Sequence, residues 1–160
     1  GEMLMLAEMK RAVICVLLCL QSLHQRGYVH RDIRWPNVVQ DHKFNRAGEV
    51  VSSTYKVIDF EYAAPTNPGS ALWEEHWFFK HVTENGVYEP KHDFHQVSLL
   101  IQNWSEAVGH TIEGDILEVL SAGNIDDILA HGWLYYQEGN YQEGVEETKV
   151  EAEEKLDDGC

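Results

Sequence analysis

The run His30-Arg31-Asp32-Ile33-Arg34-Trp35-Pro36-Asn37, followed by Val57-Ile58-Asp59-Phe60-Glu61, concentrates the residues of this chain best suited to chemistry. Asp and Asn supply the oxygen atoms that a hard cation takes as ligands, and a carboxylate is also a proton acceptor. The competing role for Asp32, Asn37 and Asp59 is turn capping, which Asp and Asn perform throughout proteins. Cys15 and Cys19 lie one helical turn apart, but no matching ligand pair accompanies them. They read as small buried hydrophobes rather than as half of a metal site. His92 with His95, and His76 with His81, read as surface or core-edge histidines.

Together the two runs resemble the H-R-D-x-x-x-x-N catalytic loop and the D-F-G metal site of the protein kinase-like superfamily, with Glu61 where that family usually has Gly. Phosphoryl transfer asks a protein mainly to orient a hydroxyl and to neutralise phosphate charge. The resemblance therefore implies ATP and Mg²⁺ as cofactors and a protein hydroxyl as acceptor. It implies Asp32 as the group that accepts or orients the hydroxyl proton, and Asn37 and Asp59 as Mg²⁺ ligands. Arg34 stands where serine/threonine kinases usually carry Lys, and is implied as a charge clamp on the γ-phosphate. Val39, two positions after Asn37, matches the apolar residue under the adenine ring, and Ile58 adjoins Asp59 in the implied nucleotide site. His30 and Arg31 are implied as structural members of the loop. Asp93, in a segment similar to the start of the long helix after the kinase activation segment, is implied as a brace for the loop backbone.

The resemblance covers about residues 3–108 and has departures. No Gly-rich phosphate loop and no V-A-I-K lysine occur, and only 29 residues precede His30, so the likeness is to a C-lobe without its N-lobe. No A-P-E sequence stands before Asp93, and Thr54, Thr66 and Ser70 remain as candidate phosphosites. The run 58–63 is also similar to small-molecule kinases of the choline and aminoglycoside type, which usually lack the Arg present here as Arg31. A non-catalytic module derived from a kinase is the other alternative.

These residues need elements to position them. Ala12, Cys15, Val16, Cys19, Leu20 and Leu23 recur at helical spacing, predicting a buried helix over residues 3–24 that stops near Gly27. Residues 28–30 read as a short extended run, and 38–40 and 56–60 as short strands. The polar stretch 41–54 between them reads as a hairpin or longer loop of undefined register. Phe94, Val97, Leu100, Ile101 and Trp104 predict a second buried helix, with Asp93 as its N-cap. Ile116, Leu117 and Leu120, then Ile125, Ile128 and Leu129, predict two short helices broken at Gly123 and Asn124. The aromatic block 73–79 reads as core packing. The expected fold is mainly α (α+β): a kinase-like C-terminal lobe over residues 1–136 with a small β-hairpin at the catalytic loop.

Composition bounds the function classes. The chain of 160 residues carries 27 acidic and 12 basic side chains, a formal charge of −15, which repels nucleic-acid backbones and anionic lipid. Residues 137–160 hold nine of the acids and two lysines, and read as a solvated, disordered tail. The longest apolar run, residues 12–20, is about half the roughly 20 residues a membrane span needs. Three cysteines make no disulfide framework, which predicts a reducing, intracellular and cytoplasmic setting. Nothing in the sequence sets the oligomeric state.

Overall fold

The computed structural model describes residues 4–66 and 87–136. The order of elements is α1 (Leu6–Gln25), β1 (Tyr28–Val29), a 3-10 turn (Trp35–Asn37), β2 (Val38–Phe44), β3 (Val50–Val57) and β4 (Ala64–Pro65), then α2 (Pro90–Val108), α3 (Ile116–Ala122), α4 (Ile125–Leu129) and a last 3-10 turn (Gly132–Leu134). β2 pairs antiparallel with β3, and β1 with β4, making two small sheets beside the helices. The architecture is α+β. No helix among the described residues is long and apolar enough to cross a membrane.

α1 forms because its apolar residues recur at three and four positions, which places Met9, Val13, Leu17 and Leu20 on one buried stripe. That stripe packs into one core with Phe94, Val97, Leu100, Ile101 and Trp104 of α2, closed by Ile116, Leu120, Ile128 and Leu134. Each such side chain contributes roughly 1.5–3 kcal/mol by leaving water. Polar bonds fix how the ends meet: Trp104 Nε1 donates to the Leu4 carbonyl (2.8 Å), and buried Lys10 donates from Nζ to the Tyr136 carbonyl (2.9 Å) with its ammonium over the Trp133 ring. The hairpin lies on α1 through Tyr55, which donates to Glu8 Oε2 (2.8 Å), and Arg11, which donates to the Ser53 carbonyl (3.1 Å). Burial, helped by Glu8, pushes the Tyr55 phenol up to about 12.

Of the two readings left open for the stretch 41–54, the hairpin is the one found, and its register is defined, Val38↔Val57 to Lys43↔Ser52 with a shift between Lys43 and Phe44. Asn45 sets the turn, its Oδ1 accepting from the N–H groups of Ala47 (2.9 Å) and Glu49 (3.0 Å). Several expectations needed correction. β3 ends at Val57, so Ile58, Asp59 and Phe60 lie beyond the strand. Cys15 and Cys19 are half-buried on the flank of α1, not fully within the core. The aromatic block 73–79, His76, His81, Ser70 and the stretch 137–160 lie outside the described residues.

Asp93 is not the N-cap of α2. Pro90 takes the first helical position, where its missing N–H costs nothing, and Glu89 caps the helix in a reciprocal pair with His92. The Glu89 side chain accepts from the His92 N–H, and His92 Nδ1 accepts from the Glu89 N–H (2.8 Å). Burial, and secondarily Lys91, hold His92 below its ordinary value of 6.5. Nδ1 accepts only when it carries no proton, so the folded state binds this proton less readily than the unfolded chain. The stability His92 contributes is therefore present above about 6.5 and lost as pH falls through the lowered value. Urea unfolding between pH 7 and pH 5 is expected to show a shallower decline in His92→Gln, whose amide oxygen accepts the same bond at either pH. Equal slopes for the two proteins would contradict this account.

Candidate active site

Loop 30–37 is held by one face of α2. Asp93, fully buried, accepts from the His30 N–H (2.8 Å) and the Arg31 N–H (2.8 Å), and also from the Tyr88 hydroxyl (2.7 Å). His24 Nε2 from α1 meets the same carboxylate at 2.8 Å. One turn on, Gln96 accepts from the Ile33 N–H (2.8 Å) and donates to the Arg31 carbonyl (3.0 Å). A further turn on, the Leu100 carbonyl accepts from Trp35 Nε1 (3.0 Å). Positions 93, 96 and 100 share one helix face, which is why one helix can clamp the whole loop.

Two non-glycine residues of the site take unusual backbone. Arg31 has φ +74° and Asp59 has φ +61°, a region that costs a non-glycine residue about 1–2 kcal/mol. Arg31 is buried with its Nε on the Tyr62 carbonyl (2.6 Å). Burial pushes its guanidinium down to about 10, opposed by Tyr88 and Asp93. Burial and the neighbouring Asp93 raise the Tyr88 phenol well above its ordinary range. These groups belong to the scaffold, and the brace that the resemblance implied for Asp93 is present as two backbone hydrogen bonds.

Within the loop, Asp32, Arg34 and Asn37 come together. Asn37 Nδ2 donates to Asp32 Oδ2 (2.8 Å) and to the Asp32 carbonyl (2.9 Å), while Arg34 Nε donates to Asp32 Oδ1 (3.1 Å). Both carboxylate oxygens are thus fixed, on a side chain 17% exposed beside an Arg34 that is 53% exposed. Asn37 is buried, and with its Nδ2 on Asp32, its Oδ1 accepts no hydrogen bond among the described residues. The terminal nitrogens of Arg34 are likewise unbonded among those residues.

Asp59 reaches this group through the backbone. The Ile58 N–H donates to the Asn37 carbonyl (2.8 Å), and buried His30 bridges the two runs. Its Nδ1 accepts from the Asp32 N–H (3.1 Å), so its Nε2 carries the proton and meets the Ile58 carbonyl at 3.2 Å. The His30 ring also packs edge-on against Phe60, with centroids 4.9 Å apart. The Asp59 carboxylate is exposed and accepts from the Glu61 N–H (3.3 Å). Val39, half-buried opposite Lys56, and exposed Ile58 flank this point at the base of the hairpin. Thr54 is half-buried within β3, and the Thr66 hydroxyl is buried, which removes it as a ready phosphosite.

Among the described residues no group of three or more His, Cys, Asp or Glu side chains is placed to hold a metal ion. A cation here would rest on Asn37 Oδ1 and Asp59, with phosphate oxygens completing its shell. That donor set fits Mg²⁺, which is commonly bound through one or two carboxylates plus substrate phosphates. Sequence reasoning missed Gln96, Tyr88 and His24, since their partners lie more than 60 residues away except for the pair Tyr88 and Asp93. No protein-family model, curated protein or solved structure matches the chain.

Proposed function

We propose that the chain is the C-lobe portion of a protein kinase-like phosphotransferase that moves the γ-phosphoryl group of ATP to a protein hydroxyl. The observation that supports this reading most is the orientation of Asn37. By donating Nδ2 to Asp32 it holds the carboxylate in one rotamer and leaves its own Oδ1 for a cation. Asp32 takes the proton as the acceptor O–H bond breaks and the new O–P bond forms, while the bond from the γ-phosphorus to the bridging oxygen breaks and ADP departs. Mg²⁺, when bound, neutralises phosphate charge. Arg34 keeps Nε on Asp32 and offers its remaining nitrogens to the transferred group. Val39 and Ile58 supply apolar contact for the base.

The reading is tested by a thermal-shift titration with Mg·ATP on the protein and on Asp59→Ala. At a ligand concentration 100 times Kd, stabilisation is about 2.7 kcal/mol, or roughly 5–10 °C in Tm for a chain of this size. The expected result is a shift in the first protein that is lost in the second. No shift at millimolar Mg·ATP would overturn the nucleotide site. With a shift in hand, Asp32→Asn is expected to lower transfer to protein acceptors about 10²- to 10⁴-fold while sparing the shift. A shift without any transfer would instead favour a non-catalytic binding module.

A further inference from the structure

A cleft of about 280 Å³ opens between the C-terminal half of α1 and the end of β3, and Asp32 is not among its lining residues. Leu23, Val57 and Phe60 make its apolar floor, Arg26 and Lys56 stand on it as cations, and Cys19 lines it. Among the described residues no carboxylate lines the cleft, in a chain with 27 acidic side chains. Phe60 is 47% exposed there, a large apolar surface left to water. Arg26 makes no ion pair among the described residues, and Lys56 meets Asp41 (2.7 Å) only at an exposed position.

We propose that this cleft is the docking site of the chain's own acidic segment, residues 137–160. The complementarity is of two kinds. The segment carries nine acids against two lysines, and each of Tyr141, Val145, Val150 and Leu156 has an acid within two positions. Its repeating unit, an apolar side chain flanked by carboxylates, matches an apolar floor flanked by cations. The reach is sufficient as well. The segment follows Tyr136, whose carbonyl is tied to Lys10 on α1. From Lys10 to Ser22, another residue of the cleft, the helix rises about 18 Å, whereas ten residues of extended chain span about 33 Å. Burying Phe60 and pairing Arg26 stabilise the docked state, and salt weakens it through the charge term. The proposal does not depend on the kinase-like reading.

Cys19 is the reporter. In a Cys15→Ala, Cys160→Ser background it is the sole thiol, and its rate of modification by N-ethylmaleimide reads the fraction of open cleft. Replacing Glu143, Glu146 and Glu147 by Lys, or making Arg26→Glu, is expected to raise that rate about threefold or more, as when the open fraction climbs from about a quarter towards unity. Combining the two reversals should bring the rate back towards its original value, which a general loosening of the fold would not do. Far-UV circular dichroism and Tm confirm that each variant is folded. Unchanged rates in both single reversals would overturn the proposal, and so would protection that rises with protein concentration, since that assigns the cleft to a second copy.

Discussion

Asp93→Ala is expected to cost about 3–5 kcal/mol, the range for removing one partner from a buried charged network. The substitution strips the acceptor from four donors: the His30 and Arg31 N–H groups, the Tyr88 hydroxyl and His24 Nε2. It also leaves the buried Arg31 guanidinium without the carboxylate that favours its charge. A domain of this size has roughly 5–15 kcal/mol to lose, so the variant should lie near the edge of folding. Tyr88→Phe removes one donor from a set that is otherwise satisfied and should cost about 1 kcal/mol. Because both act on one carboxylate, the double variant should be less unstable than the two single costs together predict. Urea unfolding followed by tryptophan fluorescence measures all three, and an Asp93→Ala midpoint close to that of the parent protein would refute the clamp as described.

Gly123→Ala should be the second most damaging change, by about 2–5 kcal/mol, from left-handed backbone and overpacking together. Gly123 ends α3 at φ +78°, and a Cβ there would sit 2.4 Å from Lys91 Cβ and 2.9 Å from Lys91 Cα. Neither neighbour is the far end of a flexible chain, so relief requires α3 to move off the start of α2. Gly109, which ends α2 at φ +69°, has nothing within 4 Å of the same added atom. Gly109→Ala therefore isolates the conformational cost, about 1 kcal/mol. Thermal unfolding of the two variants separates the terms, and equal Tm losses would show that the approach of Lys91 is relieved at no cost.

The helices were legible because each writes its own period into the chain. Met9, Val13, Leu17 and Leu20, and then Phe94, Val97 and Ile101, are decided by which residues face a core. The hairpin was legible only at its base. Phe44, Val50 and Val51 are exposed, so no alternation marks the outer ladder, and the register depends on a turn organised by one Asn45 side chain. β4 is a two-residue pairing with β1, too short to leave a pattern. In the site, Asp32 and Asn37 were singled out by likeness to a kinase motif, and the bond that joins them, five residues apart, is what the structure adds. Asp93 was placed correctly as a support for the loop but wrongly as a cap, since the cap belongs to Glu89 and His92. The work of Gln96 had no local sign, because it binds main-chain atoms of a segment 63 and 65 residues earlier.

The bonds from Trp104 to Leu4 and from Lys10 to Tyr136 close separations of 100 and 126 residues. The apolar stripe of α1 is therefore covered by segments made well after it. Roughly 80 residues separate Leu17 from Val97, which at about 5–20 residues per second leaves α1 without its partner for several seconds on the ribosome. Contacts this distant also slow refolding, because the loop must close before the burial is gained. During synthesis, the apolar stripe of α1 therefore needs shelter until α2 arrives.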